Sequence, residues 1–422
     1  MQSTQFTRTA LAGVVAFAFA SLRRWMTIDN MAKKIASVTT AMTAEDDKTF
    51  EWTLSQPVPS LIETLAAAPS RFAIIARAKD IPEPGKPMLS TIGSGPFRFN
   101  TELRVSGARV VYDRNPDYVP RDEPPDGLSG GRVVKVDRVE FNIQPDTATA
   151  ATALQAGEVD FLERPSFDLL PILRRNKDLK LQVLNPLAGQ AILRPNSLYP
   201  PFNDPRARLA LSYIINQDDE MAGGYGDPEY YQRCNSFFVC GSPNGTEAGA
   251  EDFGPNLERA KALLAEAGYK GETLKMIGTR DISYMGPMAE VTADALRKAS
   301  IKVDLTWSDW ASVITRSANQ GSPDAGGWNI YVTGLPGVLA WSPNTNIFAY
   351  MPCDDEVEKL RAAYANAAAA DRAAILEQLQ RRLAVVNPYR LLGQAKQPVA
   401  YRANIHGVLD SPIVTYWNIS KD

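Results

Sequence analysis

Between Gly131 and Val386 strand-like and helix-like stretches take turns along the chain. GRVVKVDRVEFNI reads as a strand, and Asp146 opens a helix that runs through Ala156 and breaks at Gly157. VDFL, KLQVLN and QAILRPN follow as strands, and Asp204 to Ile215 as a helix. Leu257 to Ala267 is helical and closed by Gly268, a residue suited to the left-handed C′ position. TLKMIG, Met288 to Lys298, IKVDLTW, Ala311 to Asn319 and WNIYVT continue the alternation. Two helices, Glu356 to Ala370 and Asp371 to Val386, end at Asn387-Pro388, and YRLLGQAKQPVAYR restores strand character. Helices placed between strands predict α/β bodies with mostly parallel sheets. At 422 residues the chain has room for two or three domains, each able to bury a core.

Upstream of Gly131 the pattern is mostly strands. TFEWTL (Thr49 to Leu54) alternates, and Ser60 caps a short helix through Leu65. Gly93 to Asn100 and Ala108 to Asn115 read as paired strands, and Arg121 to Gly131 as a loop. Before these lies an apolar run, Ala10 to Ala20, ending in the small-x-small pattern Ala18-Phe19-Ala20. At 1.5 Å per residue it is too short for a bilayer core of about 30 Å. Residues 1–20 are therefore expected to be a secretory signal, cleaved after Ala20. No Cys follows the run to carry a lipid.

Charge excludes some partners. The net charge is −3 and cations are interspersed with anions, so nothing marks a nucleic-acid or anionic-lipid surface. Cys234 and Cys240 stand six apart, a spacing open to either a short closed loop or two buried thiols; a disulfide there is worth roughly 2 kcal/mol. Cys353 stands alone, and with His406 the only histidine a structural metal site is not expected. The catalytic inventory is poor. Gly127-x-Ser129-x-Gly131 matches a nucleophile elbow on paper, with His406 downstream, and makes a serine hydrolase the rival reading. An elbow needs a strand entering and a helix leaving, whereas here a Pro/Asp-rich loop enters and a strand leaves. No cofactor motif is present: Gly93-Ser94-Gly95 lacks a third glycine and leads into a strand. Aromatic residues, in contrast, gather in the second half of the chain. Trp328-Asn329 directly after Gly326-Gly327 is the most suggestive group, because glycine admits close approach of a ligand.

Several segments together resemble the extracellular solute-binding proteins of peptide, nickel and opine ABC importers, solute-binding family 5. They are GSGPFRF with RNPDYVPRDEP, VDRVEFNIQPDTATAATALQAGEVDF, PFNDPRARLALSYIINQDD, RAKALLAEAGY and GGWNIYVT, in that order. The resemblance implies a two-lobed periplasmic-binding-protein-like fold of the peptide-binding type. It also implies a monomer that closes on a small-molecule or peptide-like ligand and hands it to membrane permease subunits, without catalysis, cofactor or metal. It implies a local disulfide between Cys234 and Cys240. Family members carry a further long block before the SLRRW-like segment at Ser21, so lobe I is expected to be incomplete, and a truncated, non-transporting remnant or receptor of the same fold stands as a second rival reading beside the hydrolase. Peptide-binding members place an Asp shortly after the G-W strand, where Thr333-Gly334-Leu335 stands here; a peptide ammonium anchored in that way is not expected. Lobe I is drawn at 21–250 plus 391–422 and lobe II at 251–390. Expected ligand contacts are Trp328, Asn329, Tyr331 and Trp341 from lobe II, with Arg194 and Asn196 from lobe I.

Overall fold

The computed structural model describes residues 18–46, 49–66, 73–83, 86–185, 187–344 and 354–422. The first helix, α1, covers residues 18–28, so the expected cleavage point after Ala20 falls inside it. Its residues Leu22, Trp25 and Met26, at helical spacing, are buried. Asp29 then accepts a hydrogen bond from Ala32 N (2.9 Å), which starts α2 (Asn30–Val38). The antiparallel hairpin β1 (Thr39–Ala44) and β2 (Phe50–Leu54) and the short α3 (Leu61–Ala66) close over the same side chains.

A three-stranded antiparallel sheet follows, β3 (Phe97–Phe99), β4 (Arg109–Arg114) and β5 (Arg138–Asn142), in that order. The strand expected over GRVVKVDRVEFNI forms only in its second half, because the β4 ladder ends at the pair Asp113 and Arg138. α4 (Thr147–Ala156) has the ends its sequence announces. Asp146 accepts from Thr149 N (2.7 Å), and Gly157 takes φ 79°, the left-handed conformation. Then come β6 (Phe161–Leu162), α5 (Leu170–Arg175) and β7 (Leu179–Gln182).

The largest unit is built on a six-stranded sheet. In chain order its elements are β8 (Gly189–Pro195), α6 (Pro205–Ile214), α7 (Gln217–Tyr225), β9 (Tyr231–Gln232), α8 (Leu257–Glu266), β10 (Leu274–Gly278) and α9 (Met285–Lys298). β11 (Val303–Trp307), α10 (Trp310–Ser317), β12 (Ile330–Pro336), α11 (Asp355–Asn366), α12 (Arg372–Val386) and β13 (Arg390–Ala395) complete it. The strand order is β11-β10-β12-β8-β13-β9. β10, β11 and β12 run parallel, and β8 is antiparallel to both of its neighbours, β12 and β13. Four successive β8 residues, Gln190 to Leu193, are buried. Ala191 and Leu193 enter a core with α6, α7 and α9, while Ile192 enters a second core with α11 and α12 on the other face. A strand covered on both faces reads as a continuous apolar run.

This sheet corrects the expected lobe boundary. Residues 189–250 are expected in lobe I, yet β8 is hydrogen-bonded to β12 over seven register pairs, and Ala207, Leu211 and Tyr225 share a core with Met276 and Ile330. A cut at residue 250 would pass through one hydrophobic core. The return of the chain also falls elsewhere than at Leu391. β13 stays in the large sheet, and the chain leaves it after Ala395 to form β14 (Val399–Arg402), the middle strand of a small sheet β6-β14-β7. The single stretch of strand character at residues 389–402 thus serves two sheets. β15 (Ile405–His406) and β16 (Ser420–Lys421) pair last. No described helix is long and apolar enough to cross a membrane.

Candidate functional site

Five of the six expected contact residues do come together, at the amino-terminal edge of β12. Asn196 N donates to Asn329 O (2.8 Å) and its Nδ2 to Trp328 O (2.9 Å). Asn329 Oδ1 accepts from Lys275 N (2.8 Å), bracing the start of β10. Arg194 donates through Nη1 to Tyr331 OH (2.8 Å), and its guanidinium lies 5.4 Å from the Trp328 ring centroid. Trp328 and Tyr331 meet edge to face at 5.0 Å and are buried with Ile277 and Val313 beneath α10. The asparagine and arginine bonds above are thus spent within the fold. Trp341 lies apart from this group in the hydrogen-bonding pattern. Its carbonyl accepts from Asn244 Nδ2 (2.7 Å), next to a junction where Asn344 Nδ2 donates to Glu63 Oε2 of α3 (3.0 Å).

The hydrolase reading finds no support at its two named residues. Ser129 is exposed in a tight turn and donates to Asp126 O (2.9 Å), while His406 Nε2 sits 2.8 Å from Asp422 Oδ2. Cys234 and Cys240 form the disulfide that the resemblance implied. Cys353 lies outside the described residues.

The opposite edge of the large sheet is where the chain passes to and from the small sheet. In register, Pro336 of β12 faces Gly189 of β8, and Gly189 faces Ala395 of β13. The carboxyl end of β12 therefore lies where the chain enters from β7 and where it leaves for β14. Both passages to the small sheet β6-β14-β7 are at this one edge. In open α/β sheets ligands bind outside the carboxyl ends of the strands. Here those ends are marked by the loop from Thr279 to Tyr284 after β10, by Trp307 at the end of β11, and by Gly334 to Pro336 at the end of β12.

The side chains at this edge are chemically varied. The Arg280 guanidinium lies 4.2 Å from the Trp307 ring centroid and pairs with Glu290 (2.9 Å). Asp281 Oδ2 accepts from Trp310 N (2.7 Å), and buried Thr279 Oγ1 accepts from Asp281 N (3.2 Å), which fixes the loop. Tyr284 stacks on Tyr225 with centroids 5.1 Å apart. Its hydroxyl is pushed up to about 12 by loss of solvent, opposed by the charge of Arg164 from the segment after β6. Gly334 leaves room for it: a Cβ there would stand 2.1 Å from the Tyr284 hydroxyl oxygen. Two aromatic faces, a stacked guanidinium and a fixed carboxylate suit a polar organic solute. Trp307 belongs to the aromatic cluster of the second half, but the sequence does not single out Arg280 or Tyr284, because the three form no motif. What could have found them is position, since each lies at or just after the carboxyl end of a parallel strand.

A large mixed sheet and a small second sheet, joined by two passages at one edge, define the fold of the periplasmic binding proteins. The chain belongs to the bacterial extracellular solute-binding proteins, family 5, whose model ("family 5 Middle") matches residues 13–356. A "Probable peptide ABC transporter periplasmic-binding protein y4tO" of Sinorhizobium fredii is 35% identical over 95% of this chain and 78% of its own length. The glutathione-binding protein GsiB of Pectobacterium atrosepticum is 26% identical over 72% of this chain, and the match spans about half of that relative, 54%. Among solved structures, the binding protein AgaA in complex with agropinic acid, from A. tumefaciens R10, superposes with a TM-score of 0.78. That likeness covers 97% of this chain and 84% of AgaA at 21% identity. DppA from Helicobacter pylori, in complex with the peptide STSA, gives 0.76 at 18% identity, covering 96% and 81%.

Proposed function

We propose that this chain is the substrate-binding component of an ABC importer, working in the periplasm as a monomer and catalysing no reaction. Its ligand is a small polar organic solute of the peptide or opine kind, held between the carboxyl edge of the large sheet and the small sheet, and passed to permease subunits. The observation that carries the reading is the register that brings both passages to the edge bearing Arg280, Tyr284 and Trp307. The relatives' names support the ligand class, since they bind peptides, glutathione and agropinic acid. Ligand contact is assigned to Arg280, Tyr284 and Trp307, and Arg194, Asn196, Trp328 and Asn329 are assigned to holding the sheet.

A thermal-shift screen of short peptides, glutathione and sugar–amino acid conjugates tests this. A true ligand at a hundred times its Kd stabilises the chain by about 2.7 kcal/mol, which raises the melting temperature by several degrees. Trp307→Ala and Arg280→Ala should abolish that rise while keeping the unliganded melting temperature within about 2 °C of the parent. Ligand binding unchanged in both variants would overturn the placement of the site, and hydrolysis of any bound compound would overturn the function.

A further inference from the structure

The loop closed by Cys234 and Cys240 is held by much more than its own bond. Four glutamines from four elements reach its backbone. Gln190 of β8 donates to Ser236 O (2.9 Å) and Phe238 O (3.3 Å). Gln217 of α7 accepts from Cys234 N (2.8 Å) and donates to Cys234 O (2.9 Å). Gln380 of α12 accepts from Phe237 N (3.0 Å) and donates to Asn235 O (3.1 Å). Gln394 of β13 accepts from Cys240 N (2.9 Å) and donates to Cys240 O (3.1 Å). Phe237, Phe238 and Val239 are buried in the core against α11 and α12. Each such bond in a buried site costs about 1–3 kcal/mol to leave unmade. Breaking the sulfur–sulfur bond therefore leaves the loop pinned where it is.

A third donor stands beside the two sulfurs. Glu247 Oε1 is 3.7 Å from Cys240 Sγ and is itself oriented by Asn235 N (2.9 Å). Both sulfurs and a carboxylate oxygen of Glu247 lie within 4.8 Å of one another. A tetrahedral zinc ion with sulfur at about 2.3 Å and oxygen at about 2.0 Å sets its donors roughly 3.5–3.8 Å apart. Cys234 is fully buried and Cys240 only partly, so Cys240 is the sulfur free to swing out to that spacing. Gln190 Nε2, 3.9 Å from Cys234 Sγ, is a donor to the sulfur that stays.

We propose that reduction turns this loop into a site for a soft or borderline divalent cation, with Cys234, Cys240 and Glu247 as ligands and water in the fourth position. A dithiol reductant supplies the two electrons. One of its thiolates displaces a protein sulfur, the second closes on the mixed disulfide, and the reductant leaves as its own cyclic disulfide. The protein is left with two thiols. Binding of the cation expels their two protons, so uptake strengthens with pH. Two thiolates select zinc or cadmium over magnesium or calcium.

The test uses the full chain carrying Cys353→Ser, so that the loop holds its only thiols. It is reduced with a dithiol, freed of reductant under nitrogen, and titrated with Cd²⁺ while the sulfur-to-cadmium absorption in the near ultraviolet is followed. Zn²⁺ is measured by competition with a chromogenic chelator. One equivalent per reduced chain is expected, and none for the oxidised chain. Glu247→Gln should weaken binding at least about tenfold, as loss of even an outer-shell partner does. Cys240→Ser should abolish it, with an unchanged far-ultraviolet dichroism spectrum showing that the fold is kept. No uptake by the reduced chain, equal uptake by Cys240→Ser, or loss of the native spectrum on reduction would each overturn the proposal.

Discussion

Glu220 has no solvent exposure, and among the described residues its carboxyl accepts one hydrogen bond, from Thr292 Oγ1 (2.7 Å). Burial pushes its carboxyl up to about 8; the Thr292 bond and the Arg390 charge pull down, and neighbouring Asp219 pushes up. A carboxyl whose folded value lies above its unfolded one keeps its proton in the native state. The stability it supports is complete below about pH 4.5, declines as pH rises, and is lost once pH passes about 8. Glu220→Gln should therefore melt about 2–4 °C higher than the parent at pH 9 and together with it at pH 4, by scanning calorimetry. A difference independent of pH would refute this. The same scale shows why the site was hard to read in sequence. Trp328 and Asn329 follow two glycines and look like a ligand platform, but glycine next to an aromatic equally marks a packed strand start. Gly327 serves the second purpose, since a Cβ there would stand 2.3 Å from Gly321 O.

At the scale of elements most of the alternation was legible. α4 has the caps that Asp146 and Gly157 promise, and α8 begins and ends within a residue of the segment from Leu257 to Ala267. These features are local: a side-chain cap, a glycine stop, a period of apolar residues. Strand partnership is not local. Nothing near β8 announces that it pairs with β12 and β13, well over a hundred residues on, and that pairing moved the lobe boundary. The carboxyl end of β12 offers a direct test of how closely it is fitted. Gly334→Ala places a methyl group against the Tyr284 hydroxyl, so it should lower the melting temperature and any ligand affinity. In the double variant with Tyr284→Phe the next atom is the ring carbon, 3.3 Å from the added Cβ, and much of the stability should return. Additive losses in the two variants would show that the pair does not touch.

For the whole molecule, the small unit is keyed into the large one by Phe167 and Leu170, which share the core of α6, α7 and α9. Phe167 meets Tyr225 edge to face at 4.9 Å, and Tyr225 in turn stacks on Tyr284 after the carboxyl end of β10. Arg174 adds an ion pair to Glu229 (2.8 Å), exposed and of small worth. Phe167→Ala should cost about 3 kcal/mol and, by weakening a packed contact between the units, split a single urea transition into two. One transition of unchanged midpoint would show that the units are coupled elsewhere. Consecutive strands of one short segment, β13 and β14, occupy inner places in two different sheets. During synthesis, neither sheet can be finished until these last residues have left the ribosome. Premature termination before residue 390 would leave both sheets open at once, each missing an inner strand.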